Sequence, residues 1–145
     1  MEIEFAKDFW RGLSTTQFIT NNHPNFQAFK FDENSDRNDS FKEMSINWND
    51  DLESLTTLLS QKKTNTDQIQ FKAGATNIKL VELKQNFCFF ISNHTFSYER
   101  APLSDNKYHG NLLMDKNLEK HDKLMIQQGL ALLATKTDII PNPNI

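Results

Sequence analysis

The sequence predicts an α+β domain: a mostly antiparallel sheet with about three helices packed on it, the last of them long. Three observations support this fold class. Short stretches alternate apolar and polar residues as strands do, leucines recur at helical spacing in the middle of the chain, and the last apolar segment is long enough for one extended helix. Because the predicted strands are grouped with few crossovers, antiparallel pairing is favoured. The predicted domain spans residues 1–140, and residues 141–145 form a C-terminal tail.

The composition is that of a folded protein without a strong charge bias. The chain has 145 residues, including 12 phenylalanines, and its formal net charge is −3, so it can bury a core but lacks the basic excess of a nucleic-acid-binding surface. A single cysteine excludes an internal disulfide. Since there is neither a signal-peptide pattern nor an apolar run of roughly 20 residues, we expect a cytoplasmic protein that does not enter a membrane.

The first third of the chain is predicted to alternate between strands and one short helix. Ile3 and Phe5 alternate with glutamates, which indicates a first strand. Ser14 and Gln17 have the spacing of a capping box, so a short helix is predicted to begin there and to end at His23-Pro24. Two further strands are predicted on either side of a solvated loop. These segments are the strands Phe26–Phe31 and Met44–Trp48 and the loop Asp32–Ser40.

A helix is predicted to follow the Met44–Trp48 strand. Asp50 can cap this helix, and Glu53 stands three residues further on, as in a capping box. The leucines at helical spacing, which we expect to form one buried stripe, are Leu52, Leu55, Leu58 and Leu59. A strand at Ile69–Phe71 and a turn at Gly74 come next. The segment Asn77–Lys84 fits either a strand or a helical turn, and we favour a strand.

The densest apolar run, Asn86–Arg100, is predicted to be the central strand. Successive side chains of a strand point to opposite faces, so Phe87 and Phe89 would share one face while Cys88 and Phe90 take the other. Both faces are then apolar, which is typical of a strand covered on both sides. The aromatic and hydroxyl residues of the run favour a strand over a helix.

A short strand at Leu112–Met114 and a long helix at Lys116–Ala134 complete the predicted fold. Gly129 lies inside this helix, where glycine costs roughly 1 kcal/mol relative to alanine. A close contact with the sheet would explain its presence. The apolar residues that we expect to face the core are Leu118, Met125, Ile126, Leu130, Leu132 and Leu133.

No motif of established chemistry occurs in the chain. The histidines show no metal-binding spacing, since the closest two, His109 and His121, are 12 residues apart. Cys88 lies inside the apolar run and is predicted to be a small core residue rather than a nucleophile. The four glycines form no phosphate-binding loop. We therefore predict neither a metal site nor a cofactor.

Acidic residues concentrate between Asp32 and Glu53, and this is the main regional bias of the sequence. Such a surface suits a basic protein partner through charge complementarity, although acids are also favoured in solvated loops and at helix N-termini. Together with the absence of a catalytic motif, it favours a protein-binding module, an inhibitor of the immunity or antitoxin type. The candidate partner-binding residues are Asp32, Glu33, Asp36, Asp39, Asp50, Asp51 and Glu53.

The segment Tyr108–Asn111 supports an alternative hypothesis, a small enzyme. It places the imidazole of His109 between a phenol and a glycine where a loop meets a strand. His109 would act as general acid or base, assisted by Tyr108, Glu99 and Arg11. This hypothesis predicts that the four side chains converge in one pocket. The competing interpretation is a structural turn.

Overall fold

A five-stranded antiparallel sheet forms the frame of the fold in the computed structural model of the chain, which describes residues 5–32 and 40–145. Across this sheet the strands lie in the order Gly74–Lys79, Asp8–Leu13, Phe41–Trp48, His109–Asp115 and Phe96–Arg100. A separate short hairpin pairs Ile19–Thr20 with His23–Pro24. Together with the helices, this sheet confirms the predicted α+β class. The strands are β1 (Asp8–Leu13), β2 (Ile19–Thr20), β3 (His23–Pro24), β4 (Phe41–Trp48), β5 (Gly74–Lys79), β6 (Phe96–Arg100) and β7 (His109–Asp115).

The longest helix of the described residues, α4, confirms the predicted C-terminal helix, although it begins at Lys120 rather than at Lys116. It packs against β5, α2 and the 3-10 helix Phe26–Phe29. Ile126, Leu130 and Leu133 face the core as expected, whereas Met125 and Leu132 are exposed. The α-helices are α1 (Glu53–Leu59), α2 (Leu80–Asn86), α3 (Cys88–Ser92) and α4 (Lys120–Ala134).

The strand predicted around Met44–Trp48 is confirmed as β4, the middle strand of the sheet. Met44, Ile46 and Trp48 are all buried on one face, in the main core beneath α4. Period-two alternation with one apolar face is the pattern of a strand covered on that face. β4 pairs along most of its length with β7, whose predicted residues Leu112–Met114 are also strand.

The prediction of one long central strand at Asn86–Arg100 is wrong, because its first half is helical and its second half is β6, an edge strand of the sheet. Residues 88–92 form α3, and only Phe96–Arg100 is a strand. Phe87 and Phe90 are buried while Phe89 is exposed, which is helical rather than alternating spacing. Short apolar runs are compatible with either structure, and here the i, i+3 pair of phenylalanines packs into the core.

A Schellman motif ends α3 and turns the chain into β6. His94 has a positive φ of 58°, and its N–H donates to the carbonyl of Ile91 at 3.0 Å. The N–H of Thr95 donates to the carbonyl of Phe90 at 2.9 Å. These are the two hydrogen bonds that satisfy the last carbonyls of a helix when the residue after the cap is left-handed.

Other predicted strands also form different structures. Phe26–Phe29 is a 3-10 helix capped by the Asn25 side chain, and Ile69–Phe71 contributes only an isolated bridge from Ile69 to Lys62. In both segments the apolar residues are too few to exclude a turn of helix or a loop. The ambiguous segment Asn77–Lys84 divides, because β5 ends at Lys79 and α2 begins at the next residue.

Two predicted helix starts also change. The helix expected to begin at Ser14 is a 3-10 turn, Thr16–Phe18, capped instead by the hydroxyl of Thr15. Asp50 does not cap α1, because the Glu53 N–H donates to the carboxylate of Asp51 instead. Of the first strand, Ile3 lies outside the described residues and Phe5 is not in a strand. Residues 33–39 of the predicted loop also lie outside the described residues.

Gly129 makes a close contact, as predicted, but with a different neighbour from the one expected. A Cβ at this position would lie 2.8 Å from the ring of Phe87, so the contact is with the α2–α3 junction rather than with the sheet.

The C-terminal residues also pack on the fold. The Asn142 amide is buried and donates to the carbonyls of Leu59 and Phe71. None of the helices in the described residues is long and apolar enough to cross a bilayer.

Candidate functional site

The face of the sheet opposite the main core carries two different surfaces. Helix α1 covers the part over β1 and β5, where Leu58, Leu59 and Ala75 form a second apolar cluster. The part over β4, β7 and β6 is polar. Because paired residues of antiparallel strands share a face, the registers place several polar side chains side by side there. These are Ser45, Asn47, Glu99, His109 and Asn111.

His109 is held by hydrogen bonds at both ring nitrogens. Nδ1 lies 2.8 Å from the main-chain oxygen of Ala101, and Nε2 lies 3.2 Å from Oγ of Ser45. A carbonyl oxygen can only accept, so in the neutral imidazole Nδ1 carries the proton. Nε2 is then the acceptor, and the Ser45 hydroxyl donates to it.

A cleft of about 210 Å³ opens beside this pair. Ser45 and His109 are on its wall, together with Asn106 and Gln61. Clefts for drug-sized ligands are typically larger, roughly 300–1,000 Å³, so only a small group fits here. The remaining lining residues are Gly12, Ile46, Asn47, Leu58, Gln70, Phe71 and Leu103.

The other residues of the predicted catalytic group do not line this cleft. The hydroxyl of Tyr108 donates to Oδ1 of Asp51 at 2.8 Å, away from the His109 ring. The carboxylate of Glu99 accepts from the amide of Asn111 at 3.0 Å. The structure therefore does not bring the four predicted side chains into one pocket.

The Arg11 side chain contacts Ser45 at the main-chain carbonyl, not at the hydroxyl. β1 and β4 pair only at two positions, Phe9↔Trp48 and Trp10↔Asn47. Past these two pairs, the Arg11 guanidinium connects β1 to β4 and to the 3-10 helix Phe26–Phe29. Its Nη1 donates to the carbonyl of Ser45 at 2.8 Å, and its Nε donates to that of Ala28 at 3.0 Å. Burial lowers the pKa of Arg11 to about 10, so it stays charged at neutral pH. We infer that Arg11 holds β4 and the 3-10 helix in place.

The predicted acidic residues separate into distinct places. The N–H of Asp32 donates to the carbonyl of Glu43, and roughly 17 Å of strand separates Glu43 from Trp48 at the far end of β4. Glu33, Asp36 and Asp39 lie outside the described residues. The other three acids, Asp50, Asp51 and Glu53, lie together where the turn after β4 leads into the first residue of α1, and we call this segment the acidic turn (Asp50–Glu53).

Hydrogen bonds from the end of β6 and from the residue before β7 fix the acidic turn. Arg100 makes a bidentate ion pair with Asp50, at 2.9 and 2.7 Å, and this pair raises the pKa of the guanidinium. The Tyr108 hydroxyl and the Glu53 N–H both donate to Asp51. The bond from Tyr108 is the main cause of the lowered pKa of Asp51.

Leu52 projects from the middle of the acidic turn and is 94% exposed. The predicted leucine stripe placed it in the core with Leu55 and Leu58. That placement is wrong: Leu52 is the residue before α1, which begins at Glu53, and it is not part of the apolar cluster in which Leu58 and Leu59 are buried. The structure therefore presents an exposed leucine among three carboxylates, which the sequence pattern did not indicate.

A pair of buried amides joins the acidic turn to the cleft. Asn47 and Asn106 donate to each other's side-chain oxygen, at 3.2 and 2.7 Å. The Asn47 amide also donates to the carbonyl of Ser54 in α1, and the oxygen of Asn106 accepts from the Tyr108 N–H. One network therefore positions α1, β4 and the loop that leads to His109.

Cys88 is exposed on α3 and not buried as predicted, because the apolar run that contains it is helical.

Within residues 5–32 and 40–145 there is no group of three or more His, Cys, Asp or Glu side chains that could hold a metal ion. No protein-family model, curated protein or solved structure matches this chain.

The hydrogen bond between Tyr108 and Asp51 is expected to make stability depend on pH at both extremes. It raises the pKa of Tyr108 to about 12, above the unfolded value of about 10. The tyrosine contribution is thus complete below pH ~10 and is lost as pH rises through the folded value. The pKa of Asp51 is lowered, so its contribution is present above pH ~4 and is lost as pH falls through the folded value.

Tyr108→Phe removes the hydrogen bond to Asp51, so the variant should be less stable than wild type near neutral pH. The difference in the free energy of unfolding should shrink both at acidic and at alkaline pH. Urea denaturation of both proteins at a series of pH values measures this difference in the free energy of unfolding. Tyr98→Phe, which removes the chain's other tyrosine, is the control. A wild-type advantage that stays constant up to pH ~12 would contradict the assignment of the raised pKa to this bond.

Proposed function

We propose that this chain is a cytoplasmic protein-binding module, an inhibitor of the immunity or antitoxin type, and that the acidic turn binds a basic protein partner. The observation that carries the proposal is the 94% exposure of Leu52 between carboxylates on a fixed turn. Full burial of a leucine side chain is worth roughly 1.5–3 kcal/mol. A partner with an apolar pocket and a basic rim would recover that free energy and match the surrounding charges.

The hydrogen bonds that fix the acidic turn favour a binding role over a solvated turn that binds nothing. Asp50 and Asp51 are each tied to a residue distant in the sequence, Arg100 and Tyr108 respectively. A surface held in its bound conformation loses little entropy on association. Protein interfaces commonly have an apolar core inside a polar rim, and Leu52 among these carboxylates has that arrangement.

Charge complementarity would act mainly on the rate and specificity of association. Glu53 and Asp51 would attract a basic partner and accelerate encounter at low salt, whereas the charge of Asp50 is already paired with Arg100. The leucine would contribute mainly to the lifetime of the complex, since contact residues chiefly change dissociation rates. The proposal thus expects a complex that salt weakens and that loss of the leucine destabilises.

The test compares capture by four tagged chains: wild type, Leu52→Lys, Glu53→Lys and Met125→Lys. Asp50 and Asp51 are left intact because their replacement would also break contacts within the fold. Met125→Lys places the same new charge on an exposed apolar position of α4, and it is the matched control. We expect one stoichiometric protein in the wild-type and control captures.

Leu52→Lys is expected to weaken binding of that protein by about 30-fold or more, as loss of a hot-spot residue does. Glu53→Lys should mainly slow association and reduce its salt dependence. The captured protein is then purified and its own activity measured with and without the chain, where inhibition is expected. Equal capture by Leu52→Lys and wild type, or a partner whose activity the chain leaves unchanged, would overturn the proposal.

A further inference from the structure

We propose that Ser45 and His109 form a nucleophile–base pair that hydrolyses esters of small acyl groups. This activity goes beyond the proposed binding function, because it uses the polar face of the sheet and not the acidic turn. Three features of the molecule support this activity: the hydrogen-bond chain through the imidazole, the cleft beside it and the amide-bearing residues that line that cleft.

The hydrogen-bond chain has the direction that nucleophile activation needs. The carbonyl of Ala101 fixes the proton on Nδ1 of His109, at 2.8 Å, which leaves the lone pair of Nε2 facing Oγ of Ser45 at 3.2 Å. A serine paired with a base that a third group orients is the arrangement by which an unactivated hydroxyl becomes a nucleophile. The main-chain carbonyl takes the orienting position that a carboxylate holds in a triad.

Ser45 is accessible to a substrate. Its side chain is exposed, and it lies on the wall of the 210 Å³ cleft together with His109. The small volume favours an acyl group of acetyl size, while the alcohol part of the ester would extend into solvent. Leu58, Leu103 and Phe71 supply an apolar side for the acyl methyl group.

Two side-chain amides supply donors for the negative charge that develops on the carbonyl oxygen. An amide nitrogen has two hydrogens. Among the described residues, Nε2 of Gln61 uses one for the carbonyl of Thr57, and Nδ2 of Asn106 uses one for Asn47. Both residues line the cleft, and the second hydrogen of each nitrogen, which makes no bond within the described residues, could donate to an oxyanion, the role that such amides have in acyl transfer.

The reaction balances with water as the only co-reactant. The Ser45 hydroxyl passes its proton to Nε2 of His109 as Oγ bonds to the acyl carbon. The bond from that carbon to the alcohol oxygen then breaks, and His109 returns the proton to the departing alkoxide. In the second half, water gives a proton to His109 and attacks the acyl carbon, and Ser45 Oγ leaves and recovers the proton. The products are the acid and the alcohol.

The test is labelling of the whole chain with a fluorophosphonate, which bonds its phosphorus to an activated serine and releases fluoride. We expect one label per chain, located on Ser45 by mass spectrometry of the peptides, and hydrolysis of 4-nitrophenyl acetate that the label abolishes. Ser45→Ala should remove both. His109→Gln should slow labelling by about 100-fold or more, the usual contribution of a general base.

Ser97→Ala is the matched control, because Ser97 is also a strand serine on the polar face but is not bonded to a histidine. It should label at the wild-type rate. Melting temperatures of all variants separate loss of reactivity from loss of the fold. Labelling no faster than in unfolded protein, labelling at another residue, or a His109→Gln rate within tenfold of wild type would each overturn the proposal.

Discussion

Gly110→Ala is expected to lower the free energy of unfolding by about 3 kcal/mol. A Cβ at this position would meet both Nε1 of Trp48 and the carbonyl oxygen of Glu99. Those two atoms are hydrogen-bonded to each other at 3.1 Å, so the methyl group would enter a hydrogen bond. Overpacking of this kind typically costs about 1–3 kcal/mol, and an unsatisfied buried donor costs about 1–3 kcal/mol more.

The surroundings of Trp48 leave little room for it to move. Its side chain is fully buried and its ring contacts those of Phe5, Phe9 and Tyr98, with centroids 4.9 to 5.9 Å away. Close-packed interiors transmit strain rather than absorb it. For a chain of this size, a loss of about 3 kcal/mol corresponds to a melting temperature lower by roughly 6–12 °C.

Urea denaturation of four proteins tests the mechanism: wild type, Gly110→Ala, Trp48→Phe and the double variant. Phenylalanine is smaller than tryptophan and has no N–H, so it should make room for the methyl group. Gly110→Ala should therefore cost less in the Trp48→Phe background, by about 1 kcal/mol or more. Equal costs in the two backgrounds would show that the indole is not what excludes a side chain at Gly110.

Parts of the fold could be predicted because their local pattern has one structural solution. The alternation of Met44, Ile46 and Trp48 buries one face only as a strand, and β4 forms accordingly. The run from Phe87 to Phe90 has no such pattern, since consecutive apolar residues suit a buried strand or a helix equally. The helix forms where Phe87 fits against Gly129 of α4, a contact that no local window contains.

The candidate site was partly predictable for the same reason. His109 was identified because it adjoins a glycine where a loop meets a strand. Ser45 was not, because it is 64 residues away and only the β4–β7 register brings it to Nε2. The leucine spacing predicts a buried Leu52, but α1 begins one residue later, at Glu53, and the leucine is exposed. Pairings across the sheet and exact helix starts depend on tertiary contacts that spacing does not encode.

Asn47→Ala is expected to lower the free energy of unfolding by about 2–4 kcal/mol. Asn47 and Asn106 are buried, with 1% and 4% of their surfaces exposed, and each donates to the other. Removal of the Asn47 side chain breaks both of these bonds, so the buried Asn106 amide loses two partners and the carbonyl of Ser54 loses one. Each unsatisfied buried group costs about 1–3 kcal/mol.

Because the two amides mainly satisfy each other, their removal should be strongly non-additive. Asn106→Ala alone should cost a similar amount, since it also frees the N–H of Tyr108. Once one amide is gone, loss of the other removes an already unsatisfied group, so the double variant should be more stable than the sum of the single effects predicts, by about 1–2 kcal/mol. Urea denaturation of the four proteins in this cycle measures the coupling. Additive losses would mean that water satisfies each amide separately and that the pair does not connect α1 to the loop before His109.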